Sequence, residues 1–250
     1  MSELTVVGIE GIPDIYMGDD LAEKIICALN TSNQKLEIGD IVVITSKIVS
    51  KAEGRFIRSK DVEPSAFAQR IAQRSKKSAR EIEVILRESS RPVKITDHVL
   101  IMETLHGFVC ANAGVDQSNV IEKEGFLLLP KEPDRSAERI REALQQYFHV
   151  EIAVIISDTF GRPWRMGQTN VAIGVSGMDP IVDYRGTHDM YQRELSVTEI
   201  AIADELAGAA ELVMGKADGI PVAIIRGYAY PKGEGRASHL IRPIHMDLFR

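Results

Sequence analysis

The stretch Ser157-Asp158-Thr159-Phe160-Gly161-Arg162-Pro163-Trp164-Arg165-Met166-Gly167 places one carboxylate, two guanidinium groups and two glycines directly after an apolar run, Ile152 to Ile156. A carboxylate at the end of a buried strand can hold a hard cation such as Mg²⁺ or Mn²⁺. Arginines clamp phosphate or carboxylate oxygens, and glycines let the backbone approach a ligand closely. Asp158, Arg162 and Arg165 are therefore candidates for phosphoryl chemistry. Taken alone, the same stretch also reads as a turn capped by Asp158 with two solvated arginines. A second stretch, Cys110-Ala111-Asn112-Ala113-Gly114-Val115-Asp116-Gln117-Ser118-Asn119, again closes an apolar run with small residues, one carboxylate and several amides. It reads either as an Asx-rich turn or as a second donor group, with Asp116 and Asp158 on one metal. Neither neighbourhood has histidines or cysteines at metal-ligand spacing, which favours an oxygen-ligated ion over zinc.

The formal charge of -6 argues against a nucleic-acid partner, which needs a basic face to neutralise phosphates. An anionic small molecule must then be met by local positive charge, and Lys47, Lys51, Arg162, Arg165 and Arg185 are the cations read in loop contexts. Lys47 and Lys51 directly follow the apolar segment Ile41 to Thr45, one residue after Ser46 and Ser50 respectively. Lysines there supply compact charge for phosphate oxygens, or they finish a polar turn.

These groups need elements to position them. Leu4 to Ile9, Ile41 to Thr45, Val93 to Ile95, Val99 to Glu103, Phe108 to Ala111, Ile152 to Ile156, Val171 to Val175 and Val222 to Ile225 read as strands. Asp19 and Asp20 open a helix through Leu21, Ile25 and Leu29; Pro64-Ser65 opens one with Phe67 and Ile71 on one face; another runs from Ser78 to Leu86. Ser136 is expected to cap a helix through Ile140, Leu144 and Tyr147, and an alanine-rich helix spans about Thr198 to Leu212. Strands and helices intermix without a strict βαβ repeat, so the expected class is α+β, with mixed sheets and flanking helices.

At 250 residues, 44% apolar and 26% charged, the composition is that of a globular protein with a full core. No apolar segment approaches the roughly 20 residues that span a bilayer. The N-terminus Met1-Ser2-Glu3-Leu4 lacks a signal-peptide pattern, so the expected location is cytoplasmic, with no membrane partner. Cys27 and Cys110, each among apolar residues, read as buried reduced thiols. The usual nucleotide loops are missing: Gly215-Lys216 lacks the remaining residues of a P-loop, and Gly233-Glu234-Gly235 fails the dinucleotide fingerprint at its third glycine.

Five segments, taken together in order and spacing, carry a resemblance. They are Gly11-Ile12-Pro13-Asp14-Ile15, Ser46-Lys47-Ile48-Val49-Ser50-Lys51-Ala52-Glu53-Gly54-Arg55, Asn112-Ala113-Gly114-Val115-Asp116, Asp158-Thr159 and Met214-Gly215-Lys216-Ala217-Asp218-Gly219-Ile220-Pro221. From about Val7 to Gly227 the chain resembles the coenzyme F-420 gamma-glutamyl ligases. The resemblance implies GTP-dependent amide formation between L-glutamate and the phospholactate carboxylate of the deazaflavin precursor F-420-0, followed by gamma-linked addition of further glutamate. An acyl phosphate would be the intermediate, with GDP and phosphate released. It implies a nucleotide held at Ile12, Pro13, Asp14, Ile15, Ser46, Lys47, Lys51, Asn119, Met214, Gly215, Lys216, Ala217, Asp218, Gly219, Ile220 and Pro221. The implied metal ligands are Asp116, Asp158 and, through its backbone carbonyl, Thr159, for Mg²⁺ or Mn²⁺ as two ions, with K⁺ a further candidate. With Arg162 and Arg165, the two aspartates form the expected catalytic set.

The resemblance also implies a homodimer of chains built from two intertwined subdomains. A single ligase domain over residues 1–250 is expected, without the flavin-dependent, nitroreductase-like domain fused in some bacterial relatives. One departure is Gln192, where the family commonly has glycine, and it bears on acceptor choice. Two other readings stay open: a metal-dependent phosphohydrolase using the same aspartates, and a binding module that senses nucleotide without turnover. A ligase of the same family acting on another acceptor is the nearer alternative.

Overall fold

The computed structural model describes residues 3–117 and 125–247, so Asn119 lies outside the described residues. In chain order the elements are β1 (Thr5–Gly8), α1 (Leu21–Thr31), β2 (Ile41–Thr45), α2 (Ser46–Ala52), β3 (Phe56–Arg58), α3 (Ala66–Ala72), α4 (Ala79–Arg87), β4 (Ser89–Ile95), β5 (Leu100–Thr104) and β6 (Val109–Ala111). They continue with β7 (Gly125–Leu127), α5 (Pro133–Phe148), β8 (Ala153–Arg162), β9 (Arg165–Ser176), β10 (Val182–Asp183), β11 (Glu199–Ile200), α6 (Ile202–Met214) and β12 (Val222–Arg226).

A five-stranded mixed sheet in the order β1-β12-β2-β8-β9 forms the centre, with β2 and β8 parallel and the other neighbours antiparallel. Its central strands are apolar on both faces because both faces are covered. Val42, Ile44, Val154 and Ile156 pack with Ile25 and Leu29 of α1 and Ile140 and Leu144 of α5. Ile41, Val43, Ala153 and Ile155 pack with Leu206, Ala207 and Ala210 of α6 on the opposite face. Each large aliphatic side chain buried there contributes about 1.5–3 kcal/mol. Asp40, fully buried just before β2, accepts from Arg226 Nε at 2.8 Å and Nη2 at 2.7 Å, tying the ends of β2 and β12 together. Between α2 and α5 the chain builds the β4-β5-β6 sheet and the β3-β7 pair, with cores around Ile82, Ile85, Leu100 and Met102 and around Val84, Phe126 and Leu128. The expected mixed sheets and flanking helices are present.

The central topology carries everything else. Because β2 and β8 are parallel, Thr45 and Ser157 stand in register at their common carboxyl edge. β12 runs antiparallel to β2, so its start lies at that edge, where Thr45 N donates to Pro221 O at 2.9 Å. β1 runs antiparallel to β12 and ends there too, with Ile9 N donating to Val222 O at 2.8 Å. Four connections, far apart in sequence, meet at one edge of one sheet.

Several local expectations are corrected. The strand read as Ile152 to Ile156 continues to Arg162, because β9 supplies hydrogen-bond partners along the polar stretch; Ser157 to Gly167 is a hairpin arm, not a loop. Lys47 and Lys51 lie on α2, not in a turn. Ser136 sits inside α5, which starts at Pro133, where the missing proline N–H costs nothing; its hydroxyl donates to Glu132 O and Glu53. Phe67 is exposed beneath the Arg70 guanidinium, and Ala68 is the buried residue of α3. Cys110 is buried as read, but Cys27 is exposed on α1.

Candidate active site

The carboxyl edge brings Asp158 and Ser46 together first. The Ser46 hydroxyl, itself buried, donates to Asp158 Oδ1 at 2.9 Å, because α2 begins on the residue after β2 while Asp158 is one step beyond Ser157 in β8. A bulge sits at the same point: pairing skips from Ile156↔Gly174 to Ser157↔Ala172, leaving Ile173 extra in β9. Bulges re-aim the side chains beside them.

Asp116 arrives from the inserted segment. Its backbone exchanges hydrogen bonds with Leu127, N to O at 2.9 Å and O to N at 2.8 Å, and its carboxylate Oδ2 meets Lys47 Nζ at 2.6 Å. Lys51 follows one turn after Lys47 on α2 and makes no ion pair among the described residues. Burial pushes the Asp158 carboxyl up to about 6; the Ser46 hydroxyl and the Thr159 backbone N–H hold it down, Asp116 opposes ionisation and Lys47 favours it. Burial, reinforced by the Asp158 charge, also pushes the Cys110 thiol up to about 12, so that sulfur is an inert neighbour.

Two carboxylates that share the single Lys47 ammonium leave a net negative charge at this edge when both are ionised, which further positive charge would offset. Among the described residues no three His, Cys, Asp or Glu side chains cluster as a closed metal cage. A pair of carboxylates is nonetheless the donor set with which Mg²⁺ is held when substrate phosphates and water complete its shell, and the residues fit such an ion. Thr159, adjacent in β8, uses its hydroxyl within the protein: it donates to Asn170 Oδ1 at 2.7 Å and accepts from Lys216 Nζ at 2.6 Å.

The remaining expected nucleotide residues lie on the connections at the same edge. Ile12 to Ile15 follow the end of β1, with Ile15 buried and Pro13 and Asp14 exposed. Met214 ends α6, Gly215 turns the chain at φ 57° and ψ -169°, and the loop runs through Gly219, above which nothing lies within 4 Å, to Pro221 beside Thr45. Arg162 and Arg165 are not brought to the aspartates within this chain. They pair across the exposed tip of the β8-β9 hairpin, and four residues of strand put Arg162 about 13 Å from Asp158. Arg185 is taken up by Asp183 at 2.7 Å and Glu199 at 3.0 Å. Gln192 occupies φ 63° in an exposed turn where Asp189 Oδ1 accepts from Tyr191 N and Arg193 N. That is a conformation glycine enters at no steric cost, so the departure from glycine falls on a backbone requirement.

Asn170 and Glu211 were not legible as site residues. Asn170 is a buried amide opposite Thr159, and Glu211 lies on the last turn of α6, where an acid opposes the helix dipole; that misplaced charge was the available signal. A cavity of about 890 Å³, lined by Arg141, Ile152, Ser176, Tyr230 and Arg236 among others, includes none of Lys47, Lys51, Asp116 or Asp158.

Fold and edge together define a class: a mixed α/β protein whose central parallel strands present acidic and basic side chains at their carboxyl ends, the position where such sheets bind ligands. Comparison with known proteins narrows it. The model of the F420-0:gamma-glutamyl ligase family matches residues 10–227. The chain is 48% identical over 251 residues to the coenzyme F420:L-glutamate ligase of Methanothermobacter thermautotrophicus, covering 99% of each. It is 45% identical over 249 residues to that of Methanocaldococcus jannaschii, covering 99% of this chain and 97% of the relative, and 44% identical over 247 residues to that of Methanosarcina acetivorans, covering 98% and 94%. The chain belongs to the F420-0:gamma-glutamyl ligase family.

Proposed function

We propose that this protein is a GTP-dependent ligase that joins L-glutamate to the phospholactate carboxylate of F420-0 and then adds further glutamate through gamma linkage. The observation that carries the reading is the meeting of Asp116, Asp158, Lys47 and the Met214–Pro221 loop at one sheet edge, in a chain whose full-length relatives are named coenzyme F420:L-glutamate ligases. The chemistry asks for such a site. A carboxylate does not condense with an amine in water until one of its oxygens is made a leaving group.

In the proposed reaction an acceptor carboxylate oxygen attacks the γ-phosphorus of GTP and the bond to GDP breaks, leaving an acyl phosphate. The glutamate amine then attacks the acyl carbon, phosphate departs with the carboxylate oxygen, and the amine proton passes to solvent. Lys51 and Lys47 hold phosphate oxygens, and Ser46 fixes the orientation of Asp158. The open backbone at Gly219 admits the nucleotide. Asp116, Asp158 and the Thr159 carbonyl would hold Mg²⁺ or Mn²⁺, which when bound neutralises phosphate charge and polarises the reacting oxygens.

Homodimerisation belongs to the same proposal. Trp164 and Met166 at the hairpin tip are 85% and 96% exposed, and Met190 and Tyr191, between β10 and β11, are exposed as well, apolar side chains that a second copy would bury. A cytoplasmic setting suits a reaction that consumes GTP. No helix among the described residues is long and apolar enough to cross a membrane. The test is incubation with GTP, Mn²⁺, glutamate and F420-0, followed by mass spectrometry. A glutamyl adduct with matching GDP supports the ligase; phosphate release that needs no glutamate indicates the metal-dependent phosphohydrolase instead.

A further inference from the structure

Asn170 is 2% exposed, and a buried primary amide destabilises the fold unless its donors and acceptor are met. Here its partners close a ring. Lys216 Nζ donates to Thr159 Oγ1 at 2.6 Å, and the Thr159 hydroxyl donates to Asn170 Oδ1 at 2.7 Å. Asn170 Nδ2 donates to Glu211 Oε2 at 2.8 Å, and Glu211 Oε1 accepts from Lys216 Nζ at 2.7 Å. Donation leaves Lys216 along both arms of the ring and ends on the two oxygens of Glu211, so no group is asked to donate and accept with the same atom pair and all four bonds hold at once. The members come from β8, β9, α6 and the loop that follows α6, and Thr159 is the residue next to Asp158.

We propose that Asn170 and Glu211 are positioning residues: with Thr159 and Lys216 they close a hydrogen-bond ring that sets the Met214–Pro221 loop against β8 before nucleotide arrives. The proposal rests on the reading of this loop as a nucleotide contact. Three features support it. Gly215 turns the chain sharply at the end of α6, so that Lys216 returns over the hairpin rather than extending into solvent. Glu211 sits where the helix dipole disfavours an acid, and Lys216 is the cation that compensates it. The Lys216 side chain is 61% exposed, so the ion pair adds little to global stability. What it supplies is loop position, and a loop ordered in advance lowers the entropic cost of binding.

The test varies GTP at saturating Mn²⁺, glutamate and F420-0 with the intact protein and three variants. Thr159→Val keeps the backbone carbonyl and the volume but removes the hydroxyl; Thr159→Ser restores the hydroxyl; Glu211→Gln presents an amide that cannot accept from both neighbours. The expected result is a KM for GTP raised about fivefold or more in Thr159→Val and Glu211→Gln, with kcat within about twofold in Glu211→Gln, whose residue is not among the implied metal ligands, because binding cost changes there and chemistry does not. Thr159→Ser, with the hydroxyl restored, should recover the lower KM for GTP, and the Thr159→Val/Glu211→Gln double variant should have a KM for GTP no higher than that of its worse parent, since both break one ring. Should Glu211→Gln fail to fold, the contrast between Thr159→Val and Thr159→Ser decides alone. An unaltered protein saturable by GTP whose variants keep its KM, whether or not they melt lower, overturns the ring. A protein whose turnover ignores GTP overturns the nucleotide reading, and the ring falls with it.

Discussion

At the scale of single residues, the two aspartates do different work. Asp116 is neutralised by Lys47 at 2.6 Å, whereas Asp158 is held by the Ser46 hydroxyl and raised to about 6 by burial. The folded state without metal therefore binds a proton at Asp158 that the unfolded chain, with the ordinary aspartate value of 3.8, has released. Stability of the chelated protein should fall as pH rises from about 4 to about 6 and level off above, because over that window the folded form binds more protons. Asp158→Asn removes the ionisation, so at pH 8 the metal-free variant should melt at or above the unaltered protein, by at most about 3 kcal/mol for a two-unit shift. Its ligation should be abolished. A variant that melts lower at pH 8, or ligates at a comparable rate in limiting Mn²⁺, contradicts this assignment. Lys51, without an ion pair in the described chain, is available to phosphate. Lys51→Ala should raise the GTP concentration for half-maximal rate about tenfold, the equivalent of one lost charge-assisted contact. Thermal stability without nucleotide should barely change, and a large loss of it would make the lysine structural.

At the scale of elements, the site depends on where strands stop and loops turn. Gly215 is the sharpest case, at φ 57° and ψ -169°, a region closed to side-chain-bearing residues without strain. Gly215→Ala would also set its Cβ 2.1 Å from Asp218 Oδ2, but that exposed carboxylate can swing away, leaving the backbone cost of about 1–3 kcal/mol. The expected outcome is a modestly lower melting temperature with a raised KM for GTP, measured by thermal denaturation and initial rates. A variant unchanged in both contradicts the conformation assigned to the loop. The strands β2, β8 and β12 and the caps Asp20, Ser65 and Ser78 were legible because apolar runs and capping residues encode them locally. The hairpin arm was not. Asp158, Arg162 and Gly161 look like loop residues, and only pairing with β9, a contact between segments, makes them strand. The ring of Thr159, Asn170, Glu211 and Lys216 was invisible for the same reason: no local pattern links a strand amide to a glutamate 41 residues away.

At the scale of the molecule, the mixed sheet explains how segments separated by most of the chain share one edge. β2 ends beside Ser157 of β8, β12 begins there and β1 ends there. The hairpin tip carries Arg162 and Arg165 away from the aspartates in their own chain, beside the exposed Trp164 and Met166. If that surface is buried between two copies, Trp164→Glu should shift the mass in solution from dimer toward monomer, as read by light scattering. An unaltered protein that is monomeric at all concentrations contradicts the homodimer. The central claim is that the edge activates a carboxylate by phosphorylating it. The most direct measurement supplies F420-0 labelled with heavy oxygen in its phospholactate carboxylate, together with GTP, Mn²⁺ and glutamate, and follows the label by mass spectrometry. An acyl phosphate requires one labelled oxygen to leave with each inorganic phosphate released as the first glutamate is added. Phosphate free of label, alongside glutamylated product, would contradict the account.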